Sequence, residues 1–262
     1  MKKTIVIAAL CCMTLAASAQ KYKPAGYKDD RTMDMKPEMT ELYAPVPPKV
    51  EAGNAQTNSA PSDAIVLFDG SNLDQWVSER GDAPAGWKIN KDGSMTVDKK
   101  AGGIKTKDLF RDYQLHLEWC VPADIHGSGQ ARGNSGVFMQ GKYEIQILDN
   151  YENETYINGM VGSVYKQNSP LVNACRKPGE WNSYDIIYTA PTFKEDGTFR
   201  TNPYVTVFLN GVLVQYNTMI LGVTEYIGLP TFGPHGDGPI SLQSHGDPSE
   251  PISFRNIWIR RL

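Results

Sequence analysis

Between Asp112 and Cys120 apolar and polar positions alternate: Tyr113, Leu115, Leu117 and Trp119 fall on one face, Gln114, His116, Glu118 and Cys120 on the other. A period of two is the pattern of a strand with one buried face. Tyr143 to Ile147 repeats it, with Tyr143, Ile145 and Ile147 opposite Glu144 and Gln146. The runs Tyr204–Leu209 and Val212–Val214 flank Asn210-Gly211. Both of those residues tolerate positive φ, so the pair predicts a hairpin. Residues 240–245 and 254–260 complete the series. Beyond Ala64 such runs are separated by turn residues and almost no helical period is present. Roughly a dozen strands without helices predict two packed antiparallel sheets, an all-β jelly-roll sandwich of the concanavalin A-like lectin and glucanase type. Polar residues opposite the apolar faces of central strands then become candidates to line a groove.

The chain begins differently. Lys2 and Lys3 precede an apolar run from Ile5 to Ala17, and Ala17-Ser18-Ala19 reads as a small-residue cleavage site before Gln20. This layout predicts a signal peptide over residues 1–19 and a periplasmic or secreted product, because the run is too short to span a bilayer. Leu10 before Cys11 argues against lipid anchoring. Residues 20–61 are polar and proline-bearing. The Pro45, Pro47 and Pro48 stretch favours extended chain, and 54–62 is small and polar like a connector. Whether Tyr43 to Val50 tethers the domain or drapes across it stays open on sequence alone. Residues 62–262 form the domain.

Composition narrows the partners. The formal charge of −3 becomes −5 once Lys2 and Lys3 are removed, and there is no basic footprint for nucleic acid. No later segment is apolar enough to cross a membrane as a helix. With the leader gone only Cys120 and Cys175 remain. They make neither a disulfide scaffold nor a zinc motif, although a bridge between them is allowed in an oxidising compartment.

Several strands, far apart in sequence, place acid, amide or imidazole opposite an apolar face. Glu118 and His116 share one strand, Glu144 and Gln146 another with Asp149 just beyond, and Gln243 and His245 a third. Asn134 sits in a glycine-flanked turn, and His235 in a loop whose glycines allow close backbone approach. A single Glu or Gln on a strand is ordinarily solvated; recurrence is what points to a site. Glu144 to Asp149 is similar to the Glu-x-Asp-x-x-Glu strand of jelly-roll retaining glucanases, but Gln stands at the middle acid and Asp at the last. A nucleophile and acid pair needs carboxyls about 5–5.5 Å apart, and this strand departs from that. Trp76, Trp87 and Trp181 could stack on sugars, with at least two of the three expected in the core.

An ordered set of segments resembles the bacterial 3-keto-disaccharide hydrolase family: Leu67 to Trp76, Tyr113 to Trp119, Gly133 to Phe138, Tyr143 to Asp149, Gly162 to Tyr165, Phe208 to Gly211, Gly238 to His245 and Phe254 to Trp258. The resemblance implies action on sugars whose C3 hydroxyl is oxidised to a ketone, and hence an upstream sugar 3-dehydrogenase. Such a ketone acidifies the C2 hydrogen, so a base forms an enolate, the C1 oxygen leaves by β-elimination, and water adds to the enone. No nucleophilic carboxylate is required. Glu144 and His245 are the candidate proton-transfer groups, with Glu118 expected close by; Asn134, Gln146, Gln243, His235 and Asp149 are candidates for binding substrate, and Arg255 for orienting a carboxylate. No cofactor is required, and a divalent metal is an alternative electrophile. A carbohydrate-binding module without chemistry and a conventional glycoside hydrolase are the competing functions.

Overall fold

The computed structural model describes residues 34–47, 49 and 60–262. The expected signal peptide lies outside the described residues, as does most of the connector after Pro47. The strands are β1 (Ile65–Phe68), β2 (Trp76–Ser78), β3 (Lys88–Ile89), β4 (Met95–Thr96), β5 (Ile104–Thr106), β6 (Tyr113–Cys120), β7 (Ser135–Met139), β8 (Tyr143–Ile147), β9 (Asn182–Thr189), β10 (Thr192–Phe193), β11 (Phe199–Thr201), β12 (Tyr204–Leu209), β13 (Val212–Met219), β14 (Ser241–Leu242) and β15 (Ser253–Arg261). Helix among the described residues is confined to three short 3-10 turns.

Thirteen of these strands form two antiparallel sheets, and β10 and β11 pair with each other apart from them. The larger runs β13-β12-β9-β6-β15-β4-β3, with β1 also on β15, and the smaller runs β2-β5-β14-β7-β8. The alternation dictates how they pack. Tyr113, Leu115, Leu117 and Trp119 of β6 are buried in one core with Val137 and Met139 of β7 and Tyr143, Ile145 and Ile147 of β8. Trp76 and Trp87 join that core. Their indole N–H groups donate to the carbonyls of Leu67 and Gly102, so neither is left unpaired. Each sheet therefore turns its polar residues away from the other, on two outer faces separated by the thickness of the core, about 10 Å between sheets.

Local chemistry sets the corners. Asn210 and Gly211 both have positive φ (55° and 78°), and they turn β12 into β13 as their sequence predicts. On β15 the register slips between Arg255 and Trp258, and Asn256 takes φ 48°. This bulge puts Arg255 and Trp258 opposite Glu118 and His116 on one outer face, while Phe254 and Ile257 stay in the core. The N-terminal stretch drapes over the domain as far as it is described. Leu42 accepts from Ile157 and donates to Asn158 Oδ1, and Asn158 Nδ2 donates back to the Thr40 carbonyl. Lys166 reaches the same stretch, donating to the Pro37 carbonyl and pairing with Glu41 at 3.5 Å. Cys120 and Cys175 are free thiols, not a bridge. Burial pushes the Cys175 thiol up to about 12 and that of Cys120 up to about 11, so both are protonated near neutral pH.

Candidate active site

Pairing across the smaller sheet fixes what shares its outer face. Opposite residues in antiparallel strands point the same way, so Val77, Lys105, Ser241, Phe138 and Glu144 form one row. Gln243, Gly136 and Gln146 form the next, Gln243 donating its N–H to the Gly136 carbonyl. The edge of β8 is extended by residues 163–165. Ile145 bridges Val164, Gln146 donates to Ser163, and Tyr165 donates to the Glu144 carbonyl at 3.2 Å. Tyr165 therefore stands directly beside Glu144, and Ser163 beside Gln146.

Glu144 is the unusual group of this face. Its side chain is 4% exposed, and no basic residue pairs with it among the described residues. Burial alone drives its carboxyl up from the ordinary 4.5 to about 8. The space it occupies exists because β7 has a glycine there: a Cβ on Gly136 would run into the Glu144 Oε1, Cδ and Cγ atoms. Gly136 does not have positive φ, so its use is room and not backbone freedom. Gly136→Ala should accordingly leave the fold intact, displace the carboxyl, and lower kcat on the true substrate at least tenfold. Wild-type kcat in a folded Gly136→Ala protein would show that this placement is irrelevant.

Around Glu144 lies an amide cluster. The Gln146 carboxamide contacts Asn134 Oδ1 and Gln130 Oε1. With its nitrogen turned the other way it donates to Glu144 Oε1 at 3.1 Å and to the Ser135 carbonyl at 2.9 Å. With its oxygen toward Glu144, the contact requires a protonated carboxyl as donor. The amide thus suits either protonation state, as a proton-transfer group requires. Asn134 is held by a bond to the Gln130 carbonyl. Two buried oxygens of this face, Gln243 Oε1 and Ser163 Oγ, have no hydrogen-bond partner among the described residues, and they flank the Gly136–Gln146 pair on either side. Buried polar atoms left unpaired are costly, and sites awaiting a polar ligand carry them. His245 follows Gln243 by two residues. Its Nδ1 lies 3.1 Å from both the backbone N–H and the Oδ1 of Asp247, while Nε2 makes no hydrogen bond among the described residues. Burial would raise the Asp247 carboxyl, but bonds from His245 and Ser249 outweigh it and hold the group low and charged.

Residues 63–260 match the family described as the 3-keto-alpha-glucoside-1,2-lyase-like domain. The chain belongs to that family. A proposed glycosyl hydrolase of Parabacteroides distasonis ATCC 8503, solved at 2.13 Å, is 59% identical over 92% of this chain and all (100%) of its own, with a TM-score of 0.78. Two further proposed glycosyl hydrolases of the same strain share the fold. One is 20% identical over 79% of this chain and 100% of its own (TM-score 0.56); the other is 26% identical over 76% and 99% (TM-score 0.50). Comparison with curated proteins returns no match.

Not every candidate of this 3-keto-alpha-glucoside-1,2-lyase-like chain reaches the shared face. Glu144, Gln146, Asn134 and Gln243 are brought together, with His245 following Gln243 in the chain. Glu118 is not close by: it lies on the outer face of the larger sheet, across the core. There it accepts from Arg255 Nε at 2.6 Å and Asn256 Nδ2 at 2.8 Å. Arg255 is equally remote from Glu144, and its guanidinium stacks on Trp181 at 4.1 Å. Asp149, five residues after Glu144, does not share its face. Its carboxylate takes Arg132 Nε at 2.6 Å and the Tyr151 N–H at 3.0 Å, tying two turns together at the strand end. No glucanase-like carboxyl pair is therefore formed on this strand. His235 has both ring nitrogens engaged, by Tyr143 Oη at 2.7 Å and the Gly236 carbonyl at 2.8 Å. Tyr143 is a core residue, so His235 packs on the core side of β8, away from Glu144.

Three groups on or beside the face are not among the candidate site residues of the sequence: Tyr165, known there only as the end of a family segment, Lys105 and Glu79. Tyr165 lies in irregular chain with a single β-bridge, and no periodicity marks it. Glu79 lies beyond the end of β2, bonded through its backbone to the Gly103 carbonyl, and its carboxyl tucks into the space left by Gly103. Partial burial raises its carboxyl despite Lys105 and Arg80 nearby. As for a metal, no group of three or more His, Cys, Asp or Glu side chains that could hold an ion occurs among the described residues.

Proposed function

We propose that this protein is an exported enzyme that cleaves 3-keto glycosides by elimination, followed by addition of water. Family membership supports the substrate, and Glu144 is the observation that carries the chemistry. A carboxyl held near neutral pKa by burial, with no cation to fix its charge, is suited to moving a proton and not to binding a charge. In this reading Glu144 takes the C2 proton, the electron pair forms the C2–C3 enolate, and its return to the ketone expels the C1 oxygen as C1=C2 forms. His245, oriented by Asp247 through Nδ1, gives a proton from Nε2 to the leaving oxygen. Water then adds its hydroxyl to C1 and its hydrogen to C2. Gln146, Gln243 and Asn134 bind ring hydroxyls, and the unpaired Gln243 Oε1 and Ser163 Oγ gain partners. The absence of a second carboxyl beside Glu144 on β8 disfavours conventional double-displacement on unoxidised sugar.

The deciding assay compares a 3-keto glucoside with the same glucoside unoxidised, each with and without a chelator. Aglycone should be released from the keto sugar alone, at a rate the chelator leaves unchanged. Rapid release from the unoxidised glucoside would refute the elimination route, and binding of both without release would make the protein a carbohydrate-binding module.

A further inference from the structure

The elimination leaves one role unfilled. Negative charge develops on the C3 oxygen as the C2 proton leaves, and something must stabilise it. Glu144 cannot, since it takes the proton, and His245 is assigned to the leaving oxygen. The position beside Glu144 on the extended edge belongs to Tyr165, whose side chain projects from the same face. Directly opposed residues of an antiparallel pair have Cβ atoms about 5 Å apart, and the Glu144 charge acts on the Tyr165 phenol, so the two side chains are neighbours on this face.

The surroundings of that phenol are built for donation. Tyr165 Oη lies 2.6 Å from Tyr156 Oη in buried surroundings. With Tyr156 donating, Tyr165 keeps its own proton for an oxygen on the outer face. Burial raises the Tyr165 phenol to about 12, the bond from Tyr156 pulling the other way. The group is thus a protonated donor at neutral pH. Tyr156 is itself clamped. Tyr43 meets its ring edge-on at 6.4 Å between centroids, and Lys166 Nζ lies 5.4 Å from its centroid. Lys166 adopts positive φ, 56°, which is costly for a side chain of its size. It spans the Pro37 and Tyr226 carbonyls and the Glu41 carboxylate. The draped N-terminal stretch is thereby fastened to the tyrosine pair.

We propose that Tyr165 is the electrophilic catalytic residue of this site, donating a hydrogen bond to the C3 carbonyl oxygen and to the enolate oxygen that replaces it, with Tyr156 as the positioning residue behind it. The proposal rests on the keto-glycoside reading. The step balances without a further reactant. The C2–H bond breaks, its proton passes to Glu144, and its electron pair becomes the C2=C3 bond. The former carbonyl pair then resides on oxygen, bonded to the Tyr165 proton. Preorganised donors of this kind aimed at a developing oxyanion contribute about 10²–10³-fold to rate.

The test separates enolate formation from cleavage. A 3-keto 1,5-anhydroalditol has the C2 hydrogen but no C1 leaving group, and its C2–H exchange in heavy water is followed by NMR. Tyr165→Phe should slow this exchange and the cleavage of a 3-keto glucoside by the same factor, on the order of 10²–10³, with KM little changed. Tyr156→Phe should slow both by a smaller common factor. Exchange at the wild-type rate in Tyr165→Phe, with cleavage impaired, would overturn the proposal and make the phenol a leaving-group acid. A wild-type protein that neither exchanges nor cleaves keto sugars would remove the reading beneath it, a failure recognisable because no variant is needed to see it.

Discussion

Glu144→Gln should lower kcat/KM on a 3-keto glucoside by about 10³-fold or more, at the upper part of the range for loss of a positioned proton-transfer group, while making the folded protein more stable at pH 8. The two effects share one cause. The carboxyl titrates at about 8 in the folded chain and near the ordinary 4.5 when unfolded, so between these values the folded state binds more protons than the unfolded one. Stability therefore falls as pH rises from about 4.5 to 8 and then levels. The raised pKa corresponds to a cost on the order of 3 kcal/mol at pH 7. Glutamine keeps the shape and the contact with Gln146 without that charge. Denaturant unfolding of both proteins at pH 5 and pH 8 should show near-equal stability at the lower pH and the variant ahead at the higher. Turnover within tenfold of wild type would eliminate Glu144 from the chemistry. An equal gap in stability at both pH values would mean that its titration is not near neutral.

How far the sequence reaches toward this site depends on what alternation encodes. A period of two says which residues share a strand face, so β6, β8 and β12 and their core sides are legible from Tyr113–Trp119, Tyr143–Ile147 and Tyr204–Leu209, whereas on β15 the bulge at Asn256 breaks the period and puts both Phe254 and Ile257 in the core. A sandwich, however, has two outer faces, and alternation does not say which one a polar set occupies. Glu118 and Glu144 look alike in sequence, each flanked by apolar residues, yet they lie on opposite sides of the molecule. Pairing partners decide this, and Glu118 pairs with Ser183 and Arg255 while Glu144 pairs with Phe138. Asp149 shows a second limit. Its spacing resembles a catalytic strand, but five residues is an odd step, and the chain leaves the strand before reaching it. The phenol of Tyr165 and the partner of His235, 92 residues away, depend on irregular chain, where no period exists to read. The glycine at 136 is visible in sequence as part of a turn-like motif; its use as space for a neighbouring strand's carboxyl is visible only once β7 and β8 are paired.

Glu118, buried on the opposite outer face, calls for the opposite experiment. Glu118→Ala should destabilise the protein by about 3–5 kcal/mol, the usual cost of removing one partner from a buried ionic network, and leave kcat of the folded fraction near wild type. Glu118 accepts from Arg255 and Asn256, and His116 Nε2 lies 3.8 Å away. His116 in turn bonds Asp185 at 2.8 Å and stacks on Trp258 with 5.2 Å between centroids. Burial alone would depress the imidazole; the bonds and charges of Asp185 and Glu118 overcome it and lift the group to about 9. Burial likewise favours a neutral Glu118, yet His116, Asn256 and Arg255 hold its carboxyl low. Removing Glu118 takes away the carboxylate bonded to Arg255 and leaves the His116 imidazolium with Asp185. Because the folded His116 pKa lies above its ordinary 6.5, the imidazolium's contribution is complete below about pH 6.5 and is lost as pH rises through 9. In wild type that loss adds to the one from Glu144, so stability should decline steadily from mildly acidic to alkaline pH. In Glu118→Ala the part of the decline above pH 6.5 should shrink, because less holds the imidazolium. A stable Glu118→Ala protein with turnover reduced a hundredfold would instead put Glu118 in the chemistry, from the far side of the core, and would require a different site from the one built around Glu144.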